Sequence, residues 1–89
     1  MNETTLKLEA KLASLNPSHL EIQDDSALHA GHAGNTGGSH YTVIIVSDIF
    51  DGLSLIKRHR TVYDAVGDLM TNDIHALSIQ AKTPAEYSH

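Results

Sequence analysis

Leu8, Leu12 and Leu15 recur at helical spacing near the start of the chain, and Asn16-Pro17 closes the run. A short amphipathic first helix is predicted, capped by Thr4 or Thr5. His19 to Gln23 then alternates, with Leu20 and Ile22 on one face, and reads as a strand closed by Asp24-Asp25. Tyr41 to Ser47 is β-branched and apolar enough to form the central strand. After a turn at Asp51-Gly52, Ser54 caps a helical stretch whose apolar stripe is expected to hold Leu55, His59, Val62, Val66 and Leu69, widened by Ile56, Tyr63 and Met70. Thr61-Val62 weakens its middle, so the stretch reads as one helix or as two joined near Arg60-Thr61, ended by Asn72-Asp73. Ala76 to Thr83 alternates again, with Leu77, Ile79 and Ala81 inward, and Pro84 stops it. The pattern gives an α+β fold in the order α-β-β-α(α)-β, read as a single domain with its core over about residues 4–84.

Between the first two strands the pattern vanishes. From Ser26 to Ser39 the composition shifts to Gly, Ala, Ser, Asn, Thr and His, too little apolar area to order a segment, and a long mobile loop is expected over residues 24–39. A strand-to-strand connection of that length inside a small domain is usually functional or disordered.

Composition narrows the chemistry. With 40 % hydrophobic residues but only three tyrosines, one phenylalanine and no tryptophan, the core must be aliphatic. No cysteine is present in the 89 residues, which removes disulfides, a nucleophilic thiol and any thiolate ligand. Six Lys and Arg against eleven Asp and Glu give a net charge of −5, which disfavours electrostatic nucleic-acid binding. The longest apolar run, Val43 to Val46, suits a strand and is too short to cross a membrane. The opening residues carry neither a basic secretory region nor an Arg-rich presequence, so a cytoplasmic location is expected.

Seven histidines stand out, and His29, His32 and His40 all fall in or at the end of the glycine-rich loop. Imidazole is the commonest neutral metal ligand and titrates near physiological pH. His29-x-x-His32 matches no standard zinc spacing, so by itself it reads as well as a solvated loop. His75 follows a helix end and immediately precedes the last strand, where a rigid element would hold it. A loop histidine and His75 together would form a two-histidine half-site for one iron of a cluster, as in Rieske-type centres, and the other iron would need thiolates from a partner. Zinc held by the loop histidines alone is a weaker reading of the same residues.

Other motifs point less sharply. Gly31-His32-Ala33-Gly34 has the letters of a KH-domain G-x-x-G loop but joins two strands where that motif joins two helices. Lys57-Arg58-His59-Arg60 is a compact basic run on a predicted helix, with Arg58 and Arg60 expected to point outward, toward solvent, phosphate or an acidic protein face. No strand-to-helix phosphate loop and no nucleophile elbow is present, and the adjacent carboxylates Asp24 and Asp25 should point apart on a strand end. An enzyme is not expected.

Three blocks, "DDSALHAGHAG", "GSHYTVIIVSDIFDGLSLIKRHRTVYDAV" and "IHALSIQAKTPAEY", cover nearly all of residues 20–87 and resemble, in order, those of the BolA family. F-x-G followed by R-H-R and then I-H-A-L-S-I-x-A-x-T-P carries the likeness. The resemblance implies a KH-like (class II) α-β-β-α-α-β fold with a three-stranded sheet and helices on one face. It further implies a non-enzymatic adaptor that pairs with a monothiol glutaredoxin and shares a glutathione-ligated 2Fe-2S cluster in iron trafficking and cluster maturation. The isolated chain, a monomer or weak dimer, would hold no cofactor. The family's C-terminal ligand histidine corresponds to His75 and its variable loop ligand to His29, with His32 and His40 as alternates. Lys57, Arg58 and Arg60 would dock a partner or duplex DNA, since some family members are ascribed a transcription-regulating role. Tyr87 stands where the family's T-P-x-E-W motif closes on Trp.

Overall fold

The computed structural model describes residues 3–25, 40–72 and 74–88. Helix α1 (Glu3–Ala13) leads to strand β1 (His19–Asp24) and strand β2 (His40–Val46), which a 3-10 turn (Asp48–Phe50) separates from helix α2 (Leu55–Val66). Short helix α3 (Leu69–Asn72), strand β3 (Ala76–Lys82) and the one-turn helix α4 (Pro84–Tyr87) follow. The sheet is mixed, in the order β1-β2-β3, with β1 antiparallel and β3 parallel to the central β2. The α+β class and the central position of β2 agree with the sequence pattern.

Alternation decides which face the sheet buries. In register, Leu20 lies across from Ile45 and Ile22 from Val43, while Tyr41, Val43 and Ile45 pair with Leu77, Ile79 and Ala81. This face carries the apolar layer on which α1 places Leu8 and Leu12 and α2 places Val62 and Val66, all inaccessible to solvent, with Phe50 completing the core. Buried polar groups are satisfied: Ser47 Oγ donates to the Leu15 carbonyl at 2.7 Å and accepts from Ile49 N–H, joining the end of α1 to the end of β2. At one end of the opposite face, the His19 ring stacks on Tyr87 of α4 with centroids 4.8 Å apart, and the His19 register partner Val46 is buried as well.

The helical segments depart from the sequence pattern in four ways. α1 already runs from Glu3, so Thr4 and Thr5 lie inside it, and Thr5 is buried instead of capping it. Val62 and Val66 of α2 and Leu69 of α3 are buried as the stripe expected, but in the first turns of α2 the buried residue is Arg58 in place of Leu55 and His59. Leu55 and Ile56 are consequently exposed, at 66 % and 71 %, and His59 is half-buried. Ser54 does cap α2, as expected, accepting from Lys57 N–H. The helix passes unbroken through Arg60-Thr61, where the Thr61 hydroxyl bonds back to the Lys57 carbonyl at 2.9 Å and Val62 is buried in the core. The break falls at Gly67, whose φ of 59° with ψ of −128° is a combination that favours glycine and whose N–H bonds Tyr63 O. Pro84 stops β3 as expected, but Thr83 leaves the strand to cap α4, a turn the alternation pattern gave no sign of.

Arg58 is the largest correction. It is 8 % exposed and points inward, not toward solvent as the basic run suggested. Its Nε donates to the Leu53 carbonyl at 3.0 Å and Nη1 to the Ala81 carbonyl at 3.1 Å, while Nη1 and Nη2 hold both oxygens of Glu86 at 2.6 and 3.2 Å. Glu86 in turn closes a reciprocal cap with Thr83 at the start of α4. A planar guanidinium can satisfy so many acceptors at once, which makes its burial tolerable. The bidentate bond to Arg58 holds the Glu86 carboxyl down at about 2, below its ordinary 4.5, and the same contact raises the Arg58 pKa.

The depressed Glu86 pKa stabilises the fold fully above the unfolded value of 4.5, and that contribution is lost as pH falls through about 2. Glu86→Gln should therefore flatten the decline of the urea midpoint over this acid range relative to the parent. In the core, Leu12→Ala is expected to lower the unfolding free energy by roughly 2–5 kcal/mol, measured by urea denaturation at neutral pH.

Candidate functional site: a histidine pair at one end of the sheet

Parallel pairing starts β2 and β3 at the same end of the sheet, with His40, the first residue of β2, in register with Ala76, the first of β3. His75 immediately precedes Ala76 and so stands beside His40. Their ring centroids are 5.2 Å apart and the planes are inclined at 52°. His75 is exposed and His40 half-buried. The same end is tied down from β1: Asp25 N–H donates to the His40 carbonyl at 2.7 Å, and Thr42 Oγ1 donates to Asp25 Oδ2 at 2.5 Å. Of the adjacent pair Asp24-Asp25, only Asp25 makes that bond, beyond the strand end.

Two imidazoles that bind one metal ion through nitrogens, at roughly 2.0–2.1 Å each, bring their rings to about this separation. The donor set therefore fits half of a metal site. Among the described residues no group of three or more His, Cys, Asp and Glu is placed to hold an ion, so these two donors would need others to complete coordination. His29 and His32, the other loop histidines, lie outside the described residues, as does the expectation that their loop is mobile. The pairing of His40 with His75 depends on the parallel register of β2 against β3, which no local pattern signals.

The basic run divides. Lys57 and Arg60 are exposed on α2, whereas Arg58 is committed to Glu86 and the ends of Leu53 and Ala81 and is not available for docking. His59 lines a shallow groove between α2 and β3 with Leu55, Gln80 and Lys82. Sequence reasoning missed Tyr63, whose hydroxyl donates to the Leu77 carbonyl at 3.3 Å on the outer edge of β3. It also missed the pairing of His19 with Glu21, at 2.8 Å, beneath the Tyr87 ring. The Tyr63 contact joins distant residues and the Tyr87 stacking relies on an unexpected terminal helix, whereas the His19-x-Glu21 spacing on one strand face is a local signal that could have found that pair.

Comparison with known proteins agrees with this architecture. The chain is 48 % identical over 88 residues to SufE-like protein 1, chloroplastic/mitochondrial, of Arabidopsis thaliana, a match covering 91 % of this chain and 24 % of that protein. It is 35 % identical over 82 residues to the DNA-binding transcriptional regulator BolA of Escherichia coli (strain K12), covering 91 % of this chain and 76 % of that one. The solved BolA domain of SufE1 from Arabidopsis thaliana superposes with a TM-score of 0.83 at 47 % identity, covering 97 % of this chain and 98 % of the domain. The chain spans about a quarter of SufE-like protein 1 and little over half of further curated relatives. A family model described as BolA-like protein matches residues 12–86. With the mixed sheet, the helix order and the histidine pair in place, the chain belongs to the BolA-like protein family.

Proposed function

We propose that the protein is a non-enzymatic adaptor that docks on a monothiol glutaredoxin and supplies histidine nitrogens to one iron of a bridging 2Fe-2S cluster. The reading is supported by the His75 and His40 rings, whose centroids lie 5.2 Å apart at the adjacent starts of β3 and β2, in a sequence without a single cysteine. Imidazoles alone cannot complete such a cluster, whose remaining iron takes thiolates, supplied here by the partner's cysteine and its bound glutathione. The chain's own contribution is placement: β2 and β3 fix the two rings, and the Asp25 contacts steady the strand end beside them. His75 is the constant ligand in this reading. For the second, the closeness of His40 to His75 supports His40, while the resemblance favours His29 with His32 and His40 as alternates.

Mixing the protein anaerobically with cluster-loaded monothiol glutaredoxin and glutathione should change the visible absorption and circular dichroism of the cluster. His75→Ala should abolish that change, and of His40→Ala, His29→Ala and His32→Ala the one that abolishes it identifies the second ligand. A cluster spectrum unaltered by the wild-type protein would defeat the proposal.

The Escherichia coli relative's description as a DNA-binding transcriptional regulator supports a second reading, duplex DNA binding. In this chain the exposed cations available on α2 are Lys57 and Arg60, and the net charge of −5 opposes the approach of phosphate. If these two side chains carry the contact, Lys57→Ala/Arg60→Ala should reduce the slope of log affinity against log salt by roughly 2 in a duplex mobility-shift titration. Absence of binding at low salt removes this reading.

A further inference from the structure

The two edges of the sheet are not equivalent. On β3, the Ser47 N–H bond to the Lys82 carbonyl fixes the alternation, so that Leu77, Ile79 and Ala81 turn their backbone groups outward. Two of those outward carbonyls are already engaged by α2: Tyr63 Oη donates to Leu77 O and Arg58 to Ala81 O. An incoming strand would have to strip both bonds. On β1, the Asp25 N–H bond to His40 O fixes the opposite parity, and Leu20 and Ile22 direct their backbone N–H and C=O away from β2. No described strand or side chain covers that edge of Leu20 and Ile22.

Beside this open edge, a groove of about 600 Å³ runs between α1 and β1. Ala13, Leu20 and Ile22 give it an apolar floor, Asn16 and Pro17 close one end, and Glu9 stands on its α1 wall. No Lys or Arg lines it among the described residues, and Lys7 and Lys11 lie roughly opposite Glu9 around the helix. Glu21, exposed on the other face of β1 and paired there with His19 at 2.8 Å, places a second carboxylate along the same edge. An added strand would thus lay one set of side chains over apolar floor near Glu9 and the alternate set past Glu21.

We infer that the β1 edge is a strand-addition site for an extended segment of a partner protein in which aliphatic residues alternate with Lys or Arg. Main-chain bonds to Leu20 and Ile22 give the affinity, the groove selects aliphatic side chains, and Glu9 and Glu21 select the charge.

The probes are two fluorescein-labelled nine-residue peptides, one alternating Lys with Val and the other Glu with Val, titrated with the full chain at low and high salt. Only the Lys peptide should bind, with a salt-sensitive affinity, and amide shifts in nuclear magnetic resonance spectra should centre on residues 20–24 and the facing turns of α1. Ile22→Pro removes an outward N–H without touching the β1–β2 ladder and should weaken binding at least about tenfold. Glu9→Lys, on an exposed helical position, should weaken it severalfold without altering the fold. Equal binding of both peptides, no binding of either, or indifference to both substitutions overturns the inference. So do amide shifts on β3 and α2, or shifts at residues 20–24 driven by protein concentration alone, which would assign the edge to a second copy of the chain.

Discussion

The parallel pairing of β2 with β3 is the constraint from which the rest of the architecture follows. Parallel neighbours cannot be joined by a tight turn, so the chain must cross back over the sheet before β3 begins. That crossover is α2 and α3, and its buried face of Val62, Val66 and Leu69 covers the strands it connects. The return also makes β2 and β3 begin at the same end. His40 and His75 consequently meet although 35 positions separate them in the chain, and their closeness owes nothing to a local motif.

Arg58 secures the other end of the same arrangement. Helix α2 leaves the sheet near Leu53 and α4 leaves it after Lys82, and the guanidinium bonds backbone carbonyls of both neighbourhoods while gripping Glu86. The guanidinium is buried while the Glu86 carboxylate is half exposed, so losing Glu86 would leave Arg58 its two carbonyls but no counter-charge, and the pair reads as an anchor. It also diminishes the basic face of α2. A run written Lys-Arg-His-Arg looks like a docking patch, but one of its cations is consumed within the fold.

What the sequence disclosed follows from how local each signal is. Strand alternation in Leu20-x-Ile22 and Leu77-x-Ile79-x-Ala81 was readable because a period of two has only two phases, and one of them is apolar. Helical phase was less certain. Val62, Val66 and Leu69 were placed, but in the first turns Leu55 and His59 fit the apolar stripe better than Arg58, whose head is buried because it finds its carbonyls there. A buried arginine defeats hydropathy reading, since its partners lie up to 28 residues away. For the site, His75 was marked by its place at the start of a strand. His40 was readable only as one of three histidines near the loop, because choosing it requires the register of β2 against β3.

The histidine pair and the open β1 edge meet through the central strand. Thr42 of β2 bonds Asp25 beyond the end of β1, and the Asp25 backbone bonds His40, so the end of the edge strand and the candidate ligand share one short hydrogen-bonded path. A strand added alongside Leu20 and Ile22 would extend the ladder toward that path and restrain it, whereas a bond made on the β3 side would first have to displace Tyr63 and Arg58. The two edges therefore differ in consequence as well as in accessibility. Occupancy of β1 can stiffen the strand end that carries His40 while leaving the anchor of α2 and α4 intact.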